Sequence, residues 1–363
     1  MKVLHILPNG GSGIESLVLS LAPFFRERDV ETNLMYLSSV PAPQPPTPPG
    51  SIASITGLPL RSKPFHSLES FRSIVREMQP ALIHSHSFLP TVLAATVRPR
   101  VQHVRTVHAP YPYFSANDVR SHLKRRLEAI ALSRSRAAIV TVSNFVLAAM
   151  PREMRSNAVT IYNGVPIRPM PIEPKQGSSV NLLAVGRLES QKGYVRLLAA
   201  FAEVRQEIPN ARLTIAGDGS QRPMIDGLIN KYGLSESISM LGHVSDVSTL
   251  YSQSRLYVVS SDYEGLCLSA IEALCAGCPV ASTPIPPVRE IVGRARCHIE
   301  FAADMSPSSL AAAIRRALDC DARDPTSRLQ TATLAREAFS ADACAAAYVD
   351  LYWRVTRSLV DCR

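Results

Sequence analysis

The stretch Glu264-Gly265-Leu266-Cys267-Leu268-Ser269-Ala270-Ile271-Glu272 decides how the chain is read. Ahead of it, the apolar run Leu256–Val259 has the length and composition of a buried strand. Behind it, Gly277-Cys278-Pro279 stops a helix expected over Leu266–Ala276 and leads into a strand at Pro279–Ala281. The first amides of such a helix have no partner within it, and its dipole is positive there, so its start is suited to a phosphate. Two glutamates eight residues apart on one helix would stand roughly 12 Å apart along its axis. Carboxylates that share a reacting atom in glycosidases lie about 5–9.5 Å apart. The spacing fits an elongated ligand with hydroxyls at both ends and a diphosphate between them. Taken alone, such a pair is more often a solvated helix face.

Working outward, the second half alternates strands and helices. Strands are expected at Val180–Val185, Arg212–Ala216 and Ile238–Leu241, with helices near Lys192–Gln206 and Gln221–Lys231. The first half alternates too. Strands are expected at Val3–Leu7, Thr32–Leu37, Ala81–His84, Gln102–Val107, Ala138–Val142 and Val159–Tyr162, with a helix from Ile14 to about Arg28. Such alternation predicts an α/β fold of two doubly wound parallel sheets. A proline-rich run over residues 41–50 reads as an extended loop. Residues 163–179, with prolines at 166, 169, 171 and 174, read as the interdomain linker.

Length and composition agree with two ordinary domains. The chain has 363 residues, 46% hydrophobic and 19% charged, which excludes a disordered protein. The first apolar run stops at Asn9-Gly10-Gly11, too short for a signal peptide, and no window of about 18 apolar residues suggests a membrane span. All seven cysteines lie in the second half, an odd number that favours free thiols and a cytoplasmic location. Residues 1–168 hold 19 Lys and Arg against 9 Asp and Glu, a balance of +10, and the remaining 20 and 21 leave −1. The basic excess of the first half calls for an anionic partner: a phosphorylated substrate, a membrane surface or nucleic acid.

Gly186-Arg187-Leu188 ends the strand Val180–Val185, and Gln191-Lys192-Gly193 opens the next helix. Arg187 and Lys192 could therefore converge above the sheet. With the helix start after Glu264, they could stabilise a departing nucleoside diphosphate without a metal.

With these residues in view, the chain resembles glycosyltransferase family 4, the retaining GT-B group that uses nucleotide sugars. The resemblance rests on Glu264 through Glu272 with Ala273–Val280, on Val185–Leu188 with Lys192-Gly193, on Ala216-Gly217-Asp218-Gly219, and on Leu241-Gly242-His243-Val244. It implies an acceptor-binding domain over 1–168, a nucleotide-sugar-binding domain over 169–340, a central cleft, and a helix over 341–363 that packs back on the first domain. It also implies catalytic roles for Glu264, Arg187, Lys192 and His108. Glu264 would hold donor-sugar hydroxyls and Glu272 the ribose, while amides of Gly265, Leu266, Cys267 and Leu268 would hold the diphosphate. Gly186, Gly217 and Val244 would line the donor. In the first half, the loop Asn9–Glu15 would place Gly11 and Gly13 beside the donor and Gly10 on the acceptor side, where His86 is also expected. A histidine at a strand end is otherwise a packing residue, which is the ordinary reading of His86. No metal or cofactor is implied; a UDP- or GDP-sugar is the substrate and a glycan or lipid-diphosphate-linked molecule the acceptor.

Other signals carry less. Cys275-Ala276-Gly277-Cys278 lacks a second pair for zinc, and Asp319-Cys320-Asp321 ends the amphipathic helix expected over Leu310–Leu318. Along Val119–Ala131, Val119, Leu123, Leu127 and Ile130 form one helical stripe beside Arg120, Lys124, Arg125 and Arg126. That helix either rests on an anionic leaflet, making the protein peripheral to the membrane, or packs its stripe into the core. The glycines after the first strand do not have the spacing of a dinucleotide fingerprint, and no nucleic-acid recognition motif is present. A non-catalytic nucleotide-sugar binder, or a basic nucleic-acid-binding protein, is the alternative function.

Overall fold

A computed structural model describes residues 1–8, 13–38, 51–58, 64–97, 101–110, 119–166, 179–323 and 327–357. The glycines at 10 and 11, the proline run, most of the linker and Cys362 lie outside the described residues. The chain forms two units, one of residues 1–166 with 340–363 and the other of residues 167–339.

In the first unit the elements follow as β1 (Lys2–Leu7), α1 (Gly13–Arg26), β2 (Glu31–Tyr36), β3 (Ile52–Gly57), α2 (Pro64–Met78), β4 (Leu82–Ser85), α3 (Phe88–Ala94), β5 (Gln102–Val107), α4 (Val119–Ser135), β6 (Ala138–Thr141), α5 (Asn144–Ala149), α6 (Arg152–Arg155) and β7 (Ala158–Thr160). The seven strands are parallel in the order β3-β2-β1-β4-β5-β6-β7. Its edge strand β3 has no counterpart in the sequence reading, because its residues alternate between half-buried and exposed and form no apolar run. Inside the sheet, alternate side chains go to opposite layers. Leu4, Ile6 and Ile83 pack with Phe71 and Val75 of α2. On the other face Val3, Leu82 and Val104 pack with Phe25 of α1 and with α14 (Ala341–Arg357), whose Tyr348 and Tyr352 are buried there.

In the second unit the elements are β8 (Val180–Val185), α7 (Tyr194–Glu207), β9 (Ala211–Ala216), α8 (Arg222–Lys231), β10 (Ile238–Gly242), α9 (Ser248–Gln253), β11 (Leu256–Val259), α10 (Leu268–Cys275), β12 (Val280–Ser282), α11 (Pro286–Ala295), β13 (Glu300–Phe301), α12 (Pro307–Arg323) and α13 (Ser327–Ala338). Its six parallel strands run β10-β9-β8-β11-β12-β13. This is the expected architecture of two doubly wound α/β sheets. Helix α12 runs on to Arg323 with Asp319-Cys320-Asp321 in its last turns, so these residues belong to a helix terminus as expected. Among the described residues, no helix is long and apolar enough to cross a membrane.

Helix α4 corrects one expectation. Its inward face is Ser121, Glu128, Ala131, Leu132 and Ser135, while the apolar stripe faces solvent: Val119 is 81% exposed, Leu123 58%, Leu127 45% and Ile130 56%. Core packing of the stripe is therefore overturned. A buried ion pair helps to decide the orientation, since Arg105 of β5 donates from Nε to Glu128 Oε1 at 2.9 Å with almost no solvent on either side chain. A charge left alone there would be far costlier than an exposed leucine.

Glu128→Leu should therefore destabilise the first unit by about 3–5 kcal/mol, because Arg105 stays buried without its carboxylate. Arg105→Met combined with Glu128→Leu should recover most of that loss. Urea unfolding monitors both variants, and a loss under about 1 kcal/mol in the single variant would contradict the assignment.

Candidate functional site

Strand order decides where ligand groups can collect. In the second unit β8 has β9 on one side and β11 on the other, so the loops leaving β8 and β11 diverge at the carboxyl edge. The residues singled out in the sequence lie there. Gly186 and Arg187 follow β8, Gly217 follows β9, and Val244, half-buried, follows β10. The segment from Ser260 to Cys267 leaves β11 and leads into α10.

Two glycines make this edge possible. Gly217 has φ +150°, and a Cβ there would meet the Gly186 carbonyl oxygen at 1.9 Å, so the two turns can touch only without a side chain. Gly186 has φ +152°, and a Cβ there would lie 3.2 Å from Lys192 Cε, so the lysine stem passes directly over it. A short 3-10 turn over Ser190–Lys192 delivers that lysine, and Ser260 Oγ anchors the turn by donating to the Lys192 carbonyl at 2.7 Å.

Lys192 Nζ donates to Glu264 Oε1 at 2.7 Å, and Ser261 Oγ donates to the same oxygen at 2.7 Å. Burial works against the ammonium, but the Glu264 carboxylate outweighs it and holds the Lys192 pKa above its ordinary value. Arg187 is exposed and near enough to push back on the Lys192 charge. The cations thus share one locality, with Lys192 already committed to a carboxylate and Arg187 open to solvent.

The glutamate pair differs from the sequence reading. Helix α10 begins at Leu268, so Glu264 lies in the preceding loop and only Glu272 is helical. The helical rise therefore does not separate the two carboxylates, and the 12 Å inference drops out. Cys267 takes a left-handed conformation, φ +63°, that turns the chain into α10. The first returning amides, Ala270 and Ile271, both reach the Cys267 carbonyl, leaving those of Leu266, Cys267 and Leu268 outside the helix ladder. Gly265, Leu266 and Cys267 are buried, so these amides are presented from a fixed turn. Glu272 Oε2 accepts from Tyr251 at 2.9 Å; burial raises its pKa against the pull of that bond and of Lys192. Burial pushes the thiols of Cys267 and Cys275 up to about 12, so both stay protonated at neutral pH.

The first unit carries a second collection of polar groups where β4 and β5 end. His86 follows β4 and His108 follows β5. His86 Nδ1 lies 3.0 Å from His108 Nε2, and His86 Nε2 lies 3.1 Å from His5 Nδ1. His84 sits beside this line, its ring centroid 4.1 Å from that of His86. Its nitrogens each meet a hydroxyl at 2.7 Å, Tyr352 on one side and Thr106 on the other. Burial lowers the pKa of His5 to about 3, and burial with the nearby Arg105 cation does the same for His108. His84 and His86 are also held well below the ordinary imidazole value, by burial and by the neighbouring histidines and Arg105. At neutral pH all four rings are uncharged. His5, His84 and His86 bring ring nitrogens within 4.8 Å of one another, but a cation there would have to displace hydroxyls from His84 or histidines from His86. Gly13 starts α1, and Glu15, two residues on in the first turn, is buried and accepts from the Tyr36 hydroxyl.

Sequence reasoning passed over Ser261, Tyr251 and His5. The serine and tyrosine act through partners 3 and 21 residues away and leave no local mark. His5 did leave one, as a titratable residue inside the apolar run Val3–Leu7.

Comparison with known proteins agrees with this architecture. Residues 11–168 match the family model for Glycosyltransferase Family 4, and residues 170–336 match that for Glycosyl transferases group 1. The glycogen synthase of Mycobacterium tuberculosis is 28% identical over 284 residues, covering 74% of this chain and 66% of that protein. One subunit of human phosphatidylinositol N-acetylglucosaminyltransferase is 27% identical over 63% of this chain and 48% of its own length. The chain thus spans less than two thirds of either relative. Among solved structures, sucrose-phosphate synthase from Thermosynechococcus elongatus superposes with TM-score 0.82 at 19% identity, covering all of both chains. Anabaena HepE in complex with UDP and glucose superposes with TM-score 0.77 at 16% identity, over 97% of this chain and 99% of that one. Two parallel-sheet units, each matched by its own glycosyltransferase model, and these structural neighbours show that the chain belongs to the family 4 glycosyltransferases of the GT-B fold.

Proposed function

We propose that the protein is a retaining hexosyltransferase that takes a sugar from a nucleoside-diphosphate donor and places it on a hydroxyl of a glycan or lipid-linked acceptor. The observation that carries this reading is the Lys192–Glu264 pair at the switch point of the second sheet, with Arg187 beside it and the free amides of residues 266–268 next in the chain. Cations and amides together suit a diphosphate, and a carboxylate in the same group suits sugar hydroxyls. HepE has been solved with UDP-glucose, which makes a uridine donor the first to try.

In this reading the bond from the anomeric carbon to the diphosphate breaks while the acceptor oxygen bonds to that carbon on the same face. The acceptor proton passes to the departing phosphate oxygen. Lys192, Arg187 and the α10 amides stabilise the charge that develops on the diphosphate, so no metal is needed. Glu264 holds the sugar, and its two hydrogen-bond donors keep it from acting as a nucleophile. Glu272 takes the ribose, and Gly186, Gly217 and Val244 line the nucleotide. Tyr251 orients Glu272.

The acceptor side is read from α4. Four apolar side chains face solvent, with the exposed basic residues Arg120, Lys124 and Arg126 around them. A helix of this kind lies in the headgroup layer of an anionic bilayer, its stripe in the acyl boundary and its cations on the phosphates. That makes the protein a peripheral enzyme at a cytoplasmic leaflet, supplied with a lipid-diphosphate acceptor in surface polysaccharide or glycolipid assembly.

Two measurements test these readings. UDP at 100 times its dissociation constant should stabilise the second unit by about 2.7 kcal/mol. Lys192→Ala or Glu264→Ala should weaken UDP-sugar hydrolysis at least about tenfold, with chelator present throughout. If UDP, GDP and ADP all fail to stabilise the protein, the donor site is wrong. Separately, Arg120→Ser, Lys124→Ser and Arg126→Ser together should lower affinity for phosphatidylglycerol vesicles about a hundredfold. Equal binding by wild type to phosphatidylcholine vesicles, or no change in the triple variant, would remove the leaflet from the reading.

A further inference from the structure

His5, His86 and His108 form a chain of imidazoles running from the core to the carboxyl end of β5. Each ring is uncharged and so carries one N–H, and each of the two contacts needs one donor and one acceptor. Only two arrangements satisfy both contacts. In the first, His5 Nδ1 donates to His86 Nε2, His86 Nδ1 donates to His108 Nε2, and His108 carries its remaining proton on Nδ1. In the second every bond reverses, and His108 Nδ1 becomes a bare lone pair.

The far end of the chain distinguishes them. His5 is 1% exposed, its Nε2 has no hydrogen-bond partner, and the ring of Phe25 stacks against it with centroids 6.0 Å apart. The reversed arrangement would put an N–H on that atom and leave the donor buried without an acceptor. The first arrangement leaves only an unused lone pair, the less costly of the two defects and the more frequent in folded proteins.

We infer that the buried, acceptor-free end of this chain at His5, transmitted through His86, fixes His108 as the Nδ1–H tautomer, so that His108 serves as a neutral hydrogen-bond donor to a sugar hydroxyl and not as a base. Contact with a sugar rests on the transferase reading; the tautomer does not. His86 and His5 are positioning residues: they hold the His108 ring in place and settle which of its nitrogens bears the proton.

Nitrogen-15 spectra of the histidine side chains at neutral pH test this without substrate. Wild type should show His108 protonated on Nδ1 and bare on Nε2, with His5 Nε2 bare. His5→Asn keeps an amide N–H facing His86 and should keep both the His108 tautomer and the transfer rate within about twofold. His5→Phe keeps a ring but moves the buried end of the chain to His86 Nε2, which by the same rule stays a bare lone pair. It should therefore leave the proton on His108 Nδ1, but by removing the hydrogen bond that holds the His86 ring it should lower kcat about tenfold, with the dissociation constant for nucleoside diphosphate unchanged. A wild-type His108 carrying its proton on Nε2, or His5→Phe moving it there, overturns the inference. If the tautomers are as described but no nucleoside diphosphate binds, the transferase reading fails and the imidazole chain stands.

Discussion

A parallel sheet that starts from an interior strand has to send the chain outward in one direction and then bring it back to fill the other. That constraint shapes both units: β1 lies between β2 and β4, and β8 lies between β9 and β11. Because every strand points the same way, the loops after them share one edge, and where the order reverses the neighbouring loops part. The candidate site follows from this. Gly186 comes from one side of the reversal and Glu264 from the other, and the Lys192–Glu264 contact at 2.7 Å ties the two loops together. In the first unit the same reversal brings His5 of β1 next to His84 of β4, which are direct register partners.

The two edges handle buried polarity differently. At the second sheet, lysine and glutamate pair with one another and retain some contact with solvent, so the cation can be shared with an incoming anion. At the first sheet four histidines crowd together with Arg105 close by. Desolvation and mutual repulsion leave them neutral, and their polar atoms are met by each other and by hydroxyls of Thr106 and Tyr352. A neutral network of this sort stores no charge, but its hydrogen bonds have a direction, and one unpaired atom at its end decides that direction.

Two helices of the first unit show how polar groups override simple patterning. Tyr348 and Tyr352 of α14 place their hydroxyls against Thr106 and His84, so the chain's end completes a network begun in β4 and β5. Helix α4 turns a mostly small and polar face inward because Glu128 must reach Arg105, and Leu123, Leu127 and Ile130 are left outside. Measured by hydrophobicity alone, that helix faces the wrong way.

Much was legible in the sequence. Strands such as Val180–Val185 and Leu256–Val259 are read to the residue, because strands buried on both faces appear as largely apolar runs. The glycines at 186 and 217 and the lysine at 192 are also visible, since a turn that must touch another turn tolerates little else. What the sequence could not decide depends on distance along the chain. Whether Glu264 lies on a helix or before it turns on the left-handed residue Cys267, and no periodicity marks such a residue. The outward face of α4 depends on an arginine 23 residues away, and the environment of His84 on a tyrosine 268 residues away. Local pattern determines which segments become strands and helices; only the folded chain decides which polar atoms meet, because each meeting requires two segments that carry no record of one another.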